Sequence, residues 1–182
     1  MTIQKITLVI LGMTFSSSLF SQTLANNFEI DEERHISWKS INQTALDFNG
    51  LVEAIEASGY YKEVNKGEDY VSCEFEPFEL NFQKYGYKSM TTPFYVSRNL
   101  LSGNAKFEYK EGRYRVTITN ILFTQNADDP LFQQGEQHSF EWWVLNNKGK
   151  LKSSFFDPGS DIMNREFQVK TSFSKRKTDD IW

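Results

Sequence analysis

Residues 105–119 read AKFEYKEGRYRVTIT. Ala105, Phe107 and Tyr109 alternate with Lys106, Glu108 and Lys110, and Tyr114, Val116 and Ile118 alternate with Arg115, Thr117 and Thr119. Successive side chains of a strand point to opposite faces, so each half of the stretch has one apolar and one polar face. Glu111-Gly112 between them supplies turn chemistry, because glycine tolerates the positive φ that tight hairpin turns demand. The stretch is therefore an antiparallel hairpin. Its apolar side covers a core, and its Lys, Glu, Arg and Thr side faces water or a partner.

The neighbouring segments extend this pattern on both sides. Upstream, residues 70–76 place Val71, Cys73 and Phe75 on one side and Ser72, Glu74 and Glu76 on the other, until Pro77 interrupts the ladder. Residues 35–41 give a further strand with Ile36 and Trp38 on one face. Between these strands, Phe48, Leu51, Val52 and Ile55 recur at helical spacing. Thr44 and Asp47 resemble a capping box ahead of that helix, and Gly59 is its stop. Residues 78–96 are aromatic but irregular, which predicts a loop or an edge strand.

Downstream, residues 125–137 have the composition of a loop. Residues 140–145 and 151–156 are predicted strands joined by a turn at Asn146-Asn147-Lys148-Gly149. After Asp157-Pro158-Gly159, Ser160 is expected to cap a last helix with an apolar stripe of Ile162, Met163, Phe167, Val169 and Phe173. The predicted fold class is α+β. One antiparallel sheet carries a helix before and a helix after the main strand run, both packed on one face.

Lys5, an uncharged run over residues 6–20 and small polar residues 21–26 follow the order of a secretory signal. The run is broken at Ser16-Ser17-Ser18 and is shorter than the ~20 residues a spanning helix needs. The expected organisation is a signal peptide over 1–21, a flexible acidic lead-in over 22–34, and a single α+β domain over 35–182. Cleavage is expected after Ser21, with Ala25 as second choice. The protein is then exported, periplasmic or secreted, with no membrane span once the signal is gone. No Cys near the cleavage region offers a site for bacterial lipid attachment.

With 39% hydrophobic and 15% aromatic residues, a chain of 182 residues can build one core without disulfides or metals. Its formal net charge is −4 and becomes −5 when Lys5 leaves with the signal. An acidic balance argues against a nucleic-acid partner, and the one basic cluster, Lys175-Arg176-Lys177, is offset by Asp179 and Asp180. Cys73 is the only cysteine, so an exported monomer forms no internal disulfide, and its alternating context marks it as a buried thiol.

Residues 101–121, LSGNAKFEYKEGRYRVTITNI, resemble the most recognisable stretch of a family of uncharacterised exported bacterial proteins, domain of unknown function 4468. The matching positions are Ser102-Gly103, the hairpin from Lys110 to Arg115, and the Thr-x-Thr-Asn-Ile pattern from Thr117 to Ile121. The resemblance covers about residues 36–123, with residues 78–96 standing as an insertion. It implies a fold like that of the TATA-box-binding protein (TBP). It brings no activity, cofactor or catalytic residue, and it does not import DNA binding, because function lives in sites rather than folds.

Catalytic motifs are sparse. Acyl transfer needs a nucleophile, a base and an orienting group, and only Cys73 with His138 or His35 offers a beginning. Glu74 and Glu76 share a strand face at a nominal ~7 Å, compatible with a glycosidase pair and equally with any solvated face. Asn126, Asp128 and Asp129 supply oxygens for calcium but lack the glycine and distal glutamate of an EF-hand. No catalytic, cofactor or metal site is expected.

The candidate binding residues are Trp142, Trp143, Arg113 and Arg115. In a predicted strand, adjacent tryptophans face opposite ways, which leaves one as an interface or sugar-stacking anchor. The expected function is a non-enzymatic binding or interaction module of the cell envelope, with a protein, peptide or glycan as partner. The alternatives are a structural or accessory subunit of an envelope assembly and a small exported hydrolase.

Overall fold

The computed structural model describes residues 22–126, 128 and 130–174. The expected signal segment and the Lys175-Arg176-Lys177 cluster lie outside these residues. In chain order the elements are β1 (Gln22–Thr23), β2 (Phe28–Ile30), β3 (Ile36–Gln43), α1 (Phe48–Ala57), β4 (Tyr61–Lys66), β5 (Tyr70–Phe75) and β6 (Phe78–Glu79). A 3-10 turn (Phe82–Tyr85), α2 (Phe94–Ser97), β7 (Asn99–Lys110), β8 (Arg113–Gln125), β9 (Gln137–Ser139), α3 (Phe140–Val144) and α4 (Ser160–Thr171) follow. The described strands form one nine-stranded sheet in the order β1-β2-β3-β8-β7-β5-β4. β6 and β9 pair with the far ends of β7 and β8, and every pairing is antiparallel.

The predicted hairpin is β7 and β8, in the register Tyr109↔Tyr114, Phe107↔Val116 and Ala105↔Ile118. Its apolar side is buried together with Trp38, Phe75 and Phe28. α1 contributes Leu51, Val52 and Ile55, and α4 contributes Ile162, Met163 and Phe167. Phe167 packs on Trp38 at 5.4 Å and on Phe75 at 5.9 Å, while Phe48 packs on Tyr109 at 5.8 Å. Both main helices therefore cover the same side of the sheet, as expected, and its other side is open.

α1 begins at Phe48, with Asp47 as its N-terminal cap. The Asp47 carboxylate accepts from Gly50 N at 2.7 Å and caps the helix. Thr44 instead accepts from Leu46 N and donates to the Phe173 carbonyl. Gly59, just past the cap residue Ser58, has φ +70°, the left-handed conformation expected of the stop.

Two tyrosines of the sheet hold the other end of α4. Tyr114 Oη donates to the Thr171 carbonyl at 2.7 Å and accepts from Phe173 N at 2.7 Å, and Tyr61 Oη donates to the Lys170 carbonyl at 3.1 Å. These hydroxyls satisfy carbonyls that a helix end otherwise leaves without partners. Burial raises the pKa of both phenols.

Several expectations are corrected. Residues 22–34 are no solvated lead-in: they carry β1 and β2, and Phe28 is fully buried, 5.6 Å from both Phe140 and Phe155. Phe140–Val144 is a helical turn, not a strand. Ser139 caps it by accepting from Trp142 N, and Phe140 and Val144, four apart, are buried on one side. The expected partner strand is reduced to a single bridge, Leu145↔Leu151. Ser160 does not cap α4; it is buried, donating to the Phe156 carbonyl and accepting from Asn26. Val169 lies about 200° around the helix from Phe167 and is exposed.

The outer strands are poor edges. β1 has only two residues, and β4 breaks register between Lys62 and Asn65, with Glu63 at φ +51°.

Candidate functional site

A bulge bends the long hairpin. Ser102 pairs with Leu122 and Asn104 with Thr119, so Gly103 opposes two residues, Asn120 and Ile121. A Cβ on Gly103 would lie 3.1 Å from the Thr119 carbonyl oxygen, and Asn120 adopts φ +49°, a conformation asparagine tolerates. Beyond the bulge the parity of β8 reverses: Tyr114, Val116 and Ile118 face the core before it, Ile121 and Phe123 after it. The sheet is thereby hollowed on its open side into a trough of about 1250 Å³.

Register fixes what this open face presents. Lys62, Glu74, Asn104 and Thr119 form one row across β4, β5, β7 and β8. Asn65, Ser72, Lys106, Thr117 and Lys39 form the next. Tyr70, Glu108, Arg115 and Ile41 make a third row, and Lys110, Arg113 and Gln43 a fourth at the hairpin tip. Neighbours within a row stand ~4.8 Å apart, and rows follow every ~6.6 Å.

Ser37, Ser72, Ser102, Asn104, Thr117 and Thr119 make no side-chain hydrogen bond among the described residues. Three carboxylates of the face are paired: Glu29 with Lys39, Glu74 with Lys62 at 3.8 Å, and Glu108 with Arg115 at 2.8 Å and Lys106 at 3.4 Å. Burial alone would raise the Glu108 pKa, but the hydrogen bond and charge of Arg115, aided by Lys106, hold it below the usual carboxylate range. One end wall is Glu141, whose Oε1 accepts from Ile36 N at 2.7 Å and ties α3 to β3. A second hollow of about 310 Å³ lies at the hairpin tip between Ile41, Glu108, Lys110, Arg113 and Arg115.

The structure does not bring the four candidate residues together. Arg113 and Arg115 lie on the open face. Trp142 and Trp143 lie on the helix-covered side, beside His138, which pairs with Phe123 roughly 30 Å farther along β8 at ~3.3 Å per residue. Because they follow one another in a helical turn, the tryptophans diverge by about 100° rather than pointing oppositely. Trp142 is 50% exposed and stacks on His138 at 4.0 Å, while Trp143 is half-buried against Phe94, Tyr95 and Phe132.

The chemistry left open by the sequence fares as follows. Cys73 is buried, its thiol donates to the Ala105 carbonyl at 3.7 Å, and burial pushes its pKa up to about 12. His138 bonds Glu136 at 2.9 Å, and His35 sits on Asp31, so neither serves Cys73. Glu74 faces Lys62 rather than a second carboxylate. Asn126 donates to Glu79, and Asp128 accepts from Gln134 N; Asp129 lies outside the described residues. Among the described residues no group of three or more His, Cys, Asp or Glu could hold a metal ion, and no helix is long and apolar enough to cross a membrane.

The trough was missed by sequence reasoning, yet its signal is present. Val116 and Ile118 are followed by Ile121 and Phe123, a one-residue slip in the apolar period opposite Gly103.

One antiparallel sheet with helices on a single face defines the class of fold. No family model matches the chain, and no curated protein is similar to it. Two solved structures are alike in fold. One is a TBP-like protein from Parabacteroides distasonis, 11% identical, with a TM-score of 0.45 over 75% of this chain and 90% of that one. The other is a DUF4468 family protein from Bacteroides ovatus, 10% identical, with a TM-score of 0.45 over 84% of this chain and 91% of that one.

Proposed function

We propose that this chain is an exported, non-enzymatic binding module of the cell envelope, which takes an extended polar partner on the open face of its sheet. The observation that carries this reading is the trough itself. Its lining includes Ser37, Ser102, Asn104, Thr117 and Thr119, whose side chains have no hydrogen-bond partner among the described residues, and hydroxyls and amides left free in a concavity are available to a ligand. Export is supported by the order of charge, apolar run and small residues over residues 1–26. A hydrolase is disfavoured by the protonated, inaccessible thiol of Cys73 and by the ion pairing of Glu74.

The test is a photo-reactive amino acid placed at Thr117, with a second at the exposed helix position Val169. In the native host, Thr117 should capture a partner and Val169 should not. Equal capture at both sites, or capture only at Val169, overturns the assignment of the open face.

A further inference from the structure

We infer that the partner on the open face is an anionic polysaccharide; this rests on the reading of that face as the binding surface. The first ground is charge. In the half of the face nearest the hairpin tip, the charged side chains are Lys39, Lys106, Lys110, Arg113 and Arg115 against Glu29, Glu63 and Glu108, on a chain of net charge −4. Glu68, Asp69 and Glu111 belong to the turns at the strand ends, off the face. Glu108 is already held by Arg115 and Lys106, and Lys39 by Glu29, whereas Lys110 and Arg113 make no ion pair among the described residues. Concentrating cations on one surface of an acidic molecule draws a partner of opposite charge.

The second ground is what stands between the cations. Thr117 separates Lys106 from Lys39 in one cross-strand row, with Ser72 beyond Lys106, and these hydroxyls make no hydrogen bond among the described residues. A hydroxyl donates and accepts, which suits a ligand rich in hydroxyls. The backbone groups beneath are consumed by the ladder, so an extended peptide could not add as a strand here. Exposed apolar side chains are sparse in this half of the face: Ile41, which borders the hollow at the tip, and Tyr70 stand at opposite ends of their row.

The third ground is spacing. Lys106 and Lys39, two strands apart, are separated by ~9.6 Å. In an extended uronic-acid polymer, carboxylates on one side recur at every second sugar, a comparable distance. Such a chain lying across the strands would meet cation, hydroxyl and cation in turn. The hollow at the hairpin tip extends the same track toward Lys110 and Arg113.

The experiment is affinity electrophoresis of the purified protein in gels containing polygalacturonate, chondroitin sulfate, neutral dextran or poly-L-glutamate. The uronate or the sulfated polymer should retard the protein and dextran should not, and the retardation should weaken as salt rises. A Lys106→Gln/Lys110→Gln/Arg113→Gln variant, altered only at exposed or half-exposed positions, should bind about tenfold more weakly. Trp142→Ala, on the other side of the sheet, should bind as the parent does. Retardation by dextran equal to that by the charged polysaccharides overturns the inference. So does poly-L-glutamate binding as well as polygalacturonate, which would make the partner an acidic polypeptide, and so does a triple variant that binds unchanged. If no polysaccharide binds while the probe at Thr117 still captures a partner, the ligand class falls and the binding face stands; if both fail, both readings fall.

Discussion

Replacing Tyr114 with Phe keeps the ring in the core and removes one hydroxyl from a fully buried position. That hydroxyl serves two groups at once, the Thr171 carbonyl and the Phe173 amide, each at 2.7 Å. A buried polar group left without its partner costs ~1–3 kcal/mol, so Tyr114→Phe should destabilise the fold by roughly 2–5 kcal/mol. In a chain of 182 residues each kcal/mol moves the melting temperature by ~2–4 °C, which gives a fall of roughly 5–15 °C. The variant still folds if total stability lies in the usual range of ~5–15 kcal/mol, although a weakly stable parent would leave little margin. Thermal melts followed by circular dichroism measure the shift. Hydrogen exchange locates it, because the last turn of α4 should lose protection first. Tyr109→Phe is the control: its hydroxyl makes one bond, to the Leu46 carbonyl at 3.1 Å, in a half-buried site, and should cost about 0.5–1.5 kcal/mol. A Tyr114→Phe melt within about 1 °C of the parent would refute the hydroxyl's role in holding α4.

Phe28→Ala should cost about 3–5 kcal/mol, and a chain begun at residue 35 should be at least as unstable, because Phe28 fills the core between Phe140, Phe155 and Phe167. Denaturant titration decides it, and a truncated chain as stable as the parent would return residues 22–34 to the role of a lead-in. The Cys73 thiol has its pKa raised from 9.0 to about 12, so the unfolded chain loses that proton before the native one does. Its contribution to stability is therefore intact below about pH 9 and falls by ~1.4 kcal/mol per pH unit above it. Alkaline titration of stability should accordingly be steeper for the parent than for Cys73→Ala; equal slopes would contradict a buried, protonated thiol.

How much of this was legible in the sequence depended on how far each segment's period ran without interruption. Residues 105–119 and the stripe Phe48, Leu51, Val52 and Ile55 repeat long enough to specify a hairpin and a helix, and both are present. Phe28 was hidden because one aromatic among Glu29, Asp31, Glu32 and Glu33 carries no period, and only its pairing with Trp38 across β2 and β3 buries it. The run from Phe140 to Leu145 is too short to distinguish strand from helix by apolar content. Ser139, as a cap, and the i, i+4 burial of Phe140 and Val144 decide for helix. That error placed the tryptophans on a strand and made them look like neighbours of the sheet's polar face. The trough depends on a single extra residue in β8, which a reading by alternation passes over when it treats each apolar position separately.

The two-residue β1 and the kinked, lysine-bearing β4 have a consequence for how copies of this chain meet. The register break denies another copy a straight run of free amides and carbonyls along β4, and at the other margin only residues 40–43 of β3, beyond the reach of β2, offer a short one, so side-by-side growth into fibrils is hindered. Neighbours are left to approach flat-on, and the molecule's social life is conducted through its broad surfaces.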